Sequence, residues 1–353
     1  MRVAFVHQDP GIRPGGEKGA AVHVARLCEA LARQGAEVVR IEEPDPDLAI
    51  AQLEALGPLD AIHERFSLGT GPIAAWARAK NVPHGLEVNS PLDLEEARYR
   101  GSEVDETRRE AWRVAFSSAR LVSVVSRPLL TYVEELGARV EATRVHSNGV
   151  DLDVFAPLES SRRDAERAEL GLDPDDLALV FHGRLRPWHD LPLLARAIAR
   201  GREAGARLVL VCVGKGEFAE ACAEVLPEEA LRIVGWCAPE DVARRVGACD
   251  VLALAHSSRE AAWFSPLKLR EAMAMGLVPV VPELGDLPLV VLGGHAGLLY
   301  APGDEVALAA SLQGLAADAE RRHELAEAAR TEAARHGWDW IARDVLERLG
   351  GEA

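Results

Sequence analysis

The segment WFSPLKLREAMAMG, Trp263 to Gly276, combines residue types suited to holding a phosphate and a ribose side by side. Ser265 is a favourable N-cap and Pro266 a favourable first helical residue, so the amides of Leu267 and Lys268 are expected to project from a helix N-terminus. Unbonded amides and the helix dipole stabilise an anion at such a place. Lys268 adds a full positive charge in the first turn, and Glu271 is a carboxylate able to accept from sugar hydroxyls beside a bound diphosphate. An ordinary capped helix, with Leu267, Leu269, Met273 and Met275 as packing residues, accounts for the same pattern, and the segment alone leaves both readings open.

Of the 40 basic residues only four are lysines, Lys18, Lys80, Lys215 and Lys268. Three of them sit in Gly- or Pro-containing segments, where a compact ammonium suits phosphate, although with so few lysines chance gives the same placement. The formal charge of −16 argues against a broad nucleic-acid surface or a polybasic membrane patch. Five scattered cysteines read as buried reduced thiols, and no grouping of His, Cys and carboxylates has metal-ligand spacing, so no metal and no bound cofactor are expected. No apolar run approaches the ~18 residues of a membrane span. MRVAFVH enters a strand-like run without signal-peptide features, and the expected location is cytoplasmic.

The elements that must position these residues alternate. Val3–His7 and Glu37–Ile41 read as strands around a helix carrying Val24, Leu27 and Leu31, and further strands are expected at Ala61–His63, His84–Val88, Leu121–Val125 and Arg144–Ser147. The glycines before the first helix, Gly15, Gly16 and Gly19, do not have dinucleotide-fingerprint spacing. A charged, proline-containing stretch from Ala156 to Asp176 is expected to separate two domains. A second alternation restarts beyond it, with strands at Leu177–His182, Arg207–Val213, Arg232–Val234, Val251–Ala255, Val278–Val281 and Gly297–Tyr300. The fold class is therefore α/β, two doubly wound sheets over about residues 1–160 and 175–335, with a final helix over 336–353 returning to the first domain.

Seven ordered motifs carry a family likeness: GGEKGAAVHV from Gly15, SVVSRPLLTYVEELG from Ser123, SNGVDLDVFAP from Ser147, FHGRLRPWHD from Phe181, VGKGE from Val213, SPLKLREAMAMG from Ser265 and GLLYAPGD from Gly297. In this series the chain resembles the retaining, group 1 nucleotide-sugar glycosyltransferases of the GT-B fold, two Rossmann-like domains facing a cleft. The resemblance implies sugar transfer from a nucleoside diphosphate donor to a hydroxyl or amine acceptor without a metal, so that cations and oriented amides must answer the charge growing on the diphosphate.

Carried over residue by residue, the resemblance places Arg184, after Gly183, on the diphosphate, and puts His189 where many relatives have a second cation, with Lys268 able to restore that charge. Glu271 matches the ribose carboxylate. The family's first glutamate, eight positions earlier, is replaced by Trp263, which can stack on a sugar but not accept its hydroxyl protons; Glu260 is the substitute, or else a surface charge. Lys215 in the turn Gly214–Gly216, and Gly235 with Trp236 in the loop Val234–Cys237, are expected near the nucleobase through backbone groups, Trp236 itself reading more as a packing residue than as a stacking platform. In the first domain Gly16 and Gly19 allow close backbone approach with Lys18 nearby, and Glu87 with Asn89 is the candidate acceptor contact. A buried pair of Glu87 with Arg65 is the competing reading. The expected partners are the donor and a small-molecule, glycan or lipid-linked acceptor. A sugar-nucleotide epimerase or hydrolase on the same fold, or a non-catalytic partner of another transferase, are the rivals.

Overall fold

The computed structural model describes residues 1–12, 15–16, 18–222, 224–256 and 263–351. Two compact units are formed. The first takes in Met1–Gly149, Trp263–Ser265 and Trp338–Ala353, and the second Val150–Ala262 and Pro266–Gly337.

In the first unit six parallel strands, β1 (Arg2–His7), β2 (Glu37–Glu42), β3 (Ala61–Arg65), β4 (His84–Val88), β5 (Leu121–Val124) and β6 (Thr143–Val145), lie in the order β2-β1-β3-β4-β5-β6. The order reverses between β1 and β3, so the loops after those two strands open in opposite directions along the sheet edge. The last helix, Trp338–Gly350, buries Trp338, Ile341, Ala342, Val345 and Leu349 and packs on the helix Gly19–Arg33. Its Asp344 takes a 2.8 Å hydrogen bond from His146 Nε2, while Ser123 Oγ meets His146 Nδ1 at 2.7 Å. That Ser–His–Asp order is a structural tie, because Ser123 is buried at the end of a core strand with no access for a substrate.

The second unit repeats the plan with β7 (Leu177–Arg184), β8 (Leu208–Lys215), β9 (Leu231–Gly235), β10 (Val251–Ala253), β11 (Val278–Pro282) and β12 (Leu298–Tyr300), ordered β12-β11-β10-β7-β8-β9. Alternation along β7 shows why it is a central strand. Ala178 and Val180 enter one apolar cluster, and Leu177, Leu179 and Phe181 enter the other on the opposite face. The reversal here falls between β7 and β10.

The charged stretch expected to be a linker is a docked element of the second unit. Its helix Ser160–Glu169 places Arg163 and Arg167 on Asp250, and Glu166 on Arg244 and Arg245. The unit begins and ends at one point, where Val150 N donates to His336 O at 3.0 Å and Val150 pairs with Gly337.

Candidate active site

In a doubly wound sheet the crevice for ligands opens at the carboxyl ends of the strands where the order reverses. In the second unit this is the end of β7, His182-Gly183-Arg184, beside the chain leaving β10 at His256. The β7–β8 register sets Gly183 opposite Gly214 and Arg184 opposite Lys215. Gly214 has φ +134°, and a Cβ there would stand 2.1 Å from the Gly183 carbonyl oxygen, so only glycine lets the two strand ends approach this closely. Arg184, Arg186 and Lys215 line a cavity of about 620 Å³, with Asp190 and Glu217 also on its wall. Lys215 Nζ lies 5.0 Å from the centroid of the Trp236 ring, which is 53% exposed and hence no packing residue.

After Arg186 the chain makes a single 3-10 turn, Pro187–His189, and Asp190 adopts a left-handed conformation with φ 37°. Its Oδ1 accepts from Leu193 N at 3.2 Å and so caps the helix Leu191–Glu203. This turn aims His189 inward. Its Nδ1 accepts the Arg186 backbone N–H at 3.1 Å, and its Nε2 meets Lys268 Nζ at 3.3 Å. Lys268 Nζ also lies 4.4 Å from the Phe181 ring centroid, and 4.0 Å from where a Cβ on Gly183 would be. His182 Nε2 stands 3.8 Å from Glu271 Oε2, and His256 Nδ1 donates to the Trp188 carbonyl at 2.6 Å.

Burial dominates the electrostatics of this cluster. It drives His182 down to about 3, with Lys268 adding to the fall, and His189 down to about 2, again with Lys268 second and His256 and Arg186 further contributors. Lys268 falls to about 8, burial outweighing the upward pull of Glu271. His189 is therefore a neutral ring, not the counter-ion that its place in the motif implies. Positive charge comes from the arginines at the cavity wall and from Lys215 and Lys268.

Several expected residues stand elsewhere. The helix that follows β10 runs from Leu267 to Ala274 with Pro266 at the N-cap and no side-chain cap. Ser265 is not its cap: its hydroxyl accepts from Asn148 N at 2.9 Å and its carbonyl from Asn148 Nδ2 at 2.5 Å, in the first unit. The reason is Asn148, whose amide outcompetes the helix end for the serine. Leu267 and Lys268 form the first turn as expected. Trp263 packs against the apolar cluster of Leu86, Val88, Val122 and Val124, and its carbonyl accepts from Ser126 Oγ at 2.6 Å, so its indole is spent on packing in the first unit. Glu260 lies outside the described residues. Gly235, at φ 76°, ends β9 and turns the chain into Trp236.

In the first unit Glu87 closes β4 and is 3% exposed. Oε2 accepts from His23 Nε2 at 2.8 Å, with His63 Nε2 at 3.6 Å, while Oε1 accepts from Arg65 Nη1 at 2.9 Å and Asn89 Nδ2 at 2.6 Å. His23, with Arg65 and His63, overcomes the burial penalty and holds the carboxyl well below the usual range. Glu87 is thus an ionised anchor with both oxygens engaged. Asn89 is tied to it rather than presented alone. Lys18 and Gly16 lie before the helix that Gly19 begins, and that same helix carries His23 onto Glu87.

His23, Asn148, His182 and His256 were not singled out by sequence. A signal existed for three of them. His23 shares the apolar stripe of Leu27 and Leu31 at helical spacing, and His182 and His256 follow buried strand runs directly at carboxyl ends.

A family model for the group 1 glycosyl transferases matches residues 176–318, the span of the second sheet and its helices. A D-inositol 3-phosphate glycosyltransferase of Stackebrandtia nassauensis is 32% identical over 315 residues, 83% of this chain and 68% of that protein. One from Xylanimonas cellulosilytica is 27% identical over 98% of this chain and 95% of its own length. The crystal structure of Anabaena Alr3699/HepE in complex with UDP superposes with a TM-score of 0.79 at 20% identity, covering 100% of both chains, which establishes the GT-B fold. Likeness of this extent, running through both units in sequence and in fold, leaves one assignment: the chain belongs to the group 1 glycosyltransferases.

Proposed function

We propose that the protein transfers a glycosyl group from a nucleoside diphosphate sugar to an acceptor hydroxyl or amine, with retention at the anomeric carbon and without a metal. The observation that carries this reading is the convergence of Arg184, Lys215 and Lys268 on the strand-order reversal of the second sheet, beside the start of the helix Leu267–Ala274. Positive charge there answers the negative charge that builds on a departing diphosphate, the role a divalent ion fills elsewhere. Glu271, on the same helix, is assigned to the ribose hydroxyls, and Trp236 with Lys215 to the base. The acceptor is assigned to the first unit by family resemblance. The D-inositol 3-phosphate named for the relatives favours a hydroxyl over an amine.

Retention is supported by the state of Glu87. An inverting reaction needs a free base on the acceptor, whereas this carboxylate is held ionised with both oxygens occupied. In the proposed reaction the acceptor O–H or N–H loses its proton to the departing phosphate oxygen, the bond from the anomeric carbon to that oxygen breaks, and the new glycosidic bond forms on the same face.

A thermal-shift panel of UDP, GDP, ADP and TDP with their sugars, on wild type and Glu271→Ala, tests the donor assignment. UDP comes first because the HepE structures hold UDP and UDP-glucose. At a hundredfold excess over Kd the matching nucleotide stabilises by ~2.7 kcal/mol, and Glu271→Ala loses most of that shift. No shift with any nucleotide refutes the reading. The anomeric proton coupling of the product, read by NMR, tests retention.

A further inference from the structure

The contact between His189 and Lys268 contains a conflict that fixes protons. A backbone N–H can only donate, so the Arg186 amide at 3.1 Å makes His189 Nδ1 an acceptor without a proton. The neutral ring then carries its hydrogen on Nε2, 3.3 Å from Lys268 Nζ. Opposite an ammonium this is donor against donor. Opposite an amine it is a hydrogen bond, the Nε2–H donating to the nitrogen lone pair.

The groups around Lys268 divide by the form they favour. The Phe181 ring from β7, 4.4 Å away, and Glu271 from its own helix favour the ammonium. His189 from the 3-10 turn favours the amine. His182 from β7 and His256 beyond β10 are both pushed down by burial first, and so are neutral beside it. Arg186 stands on the far side of His189 and holds that ring neutral as well. Burial, which brings Lys268 down to about 8, leaves the ammonium about tenfold in excess at pH 7 and brings the two forms level at about pH 8. Gly183, with no Cβ, keeps the approach to Nζ open from the strand side.

We propose that Lys268 is a proton-switched receptor: in mildly alkaline solution the free protein populates the amine, to which the Nε2–H of His189 donates, and an arriving diphosphate draws in one proton to complete the ammonium that holds it. His189 is a positioning residue here, acting through Lys268 without touching the ligand. The inference rests on the diphosphate assignment above. In the switch the Nε2–H···Nζ hydrogen bond breaks, one proton from solvent joins the Nζ lone pair, and the new N⁺–H bonds turn to phosphate oxygens. No group is oxidised or reduced.

With only four lysines in the chain, labelling lysine at Cε and Nζ makes each titration visible by NMR. In the free protein Lys268 is expected to titrate well below the ordinary lysine value of 10.5, and saturating UDP is expected to return it to the ammonium form. Calorimetry with UDP between about pH 7.5 and 9, in buffers of differing ionisation enthalpy, should register proton uptake, and affinity should fall towards tenfold per pH unit above the Lys268 midpoint. His189→Leu should move the Lys268 midpoint up towards the ordinary lysine value of 10.5, and Lys268→Arg, permanently charged, should bind UDP with no slope over that range.

A Lys268 signal that titrates near the ordinary lysine value of 10.5 while UDP binds normally would overturn the switch and leave the diphosphate assignment standing. A low Lys268 midpoint with no UDP binding at any pH would overturn the uptake step together with that assignment. A low midpoint unchanged in His189→Leu would overturn the role given to His189.

Discussion

Replacing Glu87 by Gln removes one charge and one acceptor oxygen from the most heavily engaged carboxylate of the first unit. Wild-type Glu87 takes hydrogen bonds from His23, Arg65 and Asn89 at 2.8, 2.9 and 2.6 Å, and is 3% exposed. Its partner Arg65 has a side chain 12% exposed, so water cannot fully replace the lost carboxylate. Breaking one member of a buried pair costs ~3–5 kcal/mol, and the residual access of Arg65 argues for the lower end, about 3 kcal/mol. With a urea m-value of about 2 kcal/mol/M for a unit of this size, the midpoint should fall by about 1.5 M.

Tryptophan fluorescence mainly reads the correct unit, since Trp76, Trp112, Trp263, Trp338 and Trp340 belong to it and only Trp188 and Trp236 to the other. The pH dependence gives a second arm. The folded carboxyl lies well below its ordinary value of 4.5, so between the two values the unfolded chain binds a proton that the folded one does not. The stabilisation is complete above the ordinary value and is lost as pH falls through the folded one. The gap between wild type and Glu87→Gln should be flat above about pH 5.5 and narrow below it. A midpoint shift under about 0.3 M at pH 7 would refute the anchoring argument, as would a gap that widens in acid.

Gly214→Ala sets a Cβ against the Gly183 carbonyl at a backbone φ of +134°, and should cost about 3 kcal/mol of stability by thermal unfolding. Its nucleotide-induced shift should fall with it, because β7 must move to make room. Asp344→Asn weakens the acceptor for both His146 Nε2 and Arg348 Nε, at 2.8 and 2.6 Å, and with Asp344 partly open to solvent should cost about 1 kcal/mol by urea titration while leaving nucleotide binding unchanged.

The strands were legible because their apolar runs are bounded by turns and charge, and all twelve read from sequence are present within a few residues of their expected ends. The linker was not. Glu166 and Arg167 look like solvated charges in a sequence, yet both are buried in ion pairs made with residues more than seventy positions away. Ser265 failed for a related reason. Cap preference is a local property, and the competing donor, Asn148, lies 117 residues earlier. His189 was located by its motif, but its protonation depends on the Arg186 amide and on Lys268, which only the folded turn brings into line. Motif position thus pointed to His189 and Lys268 as neighbours, while hydrogen-bond direction decides which of their nitrogens carry protons.

The discontinuity of the first unit has a consequence for synthesis. Its sheet is complete once residue 145 has emerged, but the helix that covers it begins only at Trp338, after the whole of the second unit. Nearly two hundred intervening residues build a unit whose own ends meet at Val150 and Gly337. On the ribosome the inserted unit can close on itself first, while the face awaiting Trp338, Ile341 and Val345 stays uncovered until that helix has emerged. A nascent chain therefore exposes apolar surface of the first unit for as long as the second unit is being made, and ribosome-bound chaperones are suited to guard it.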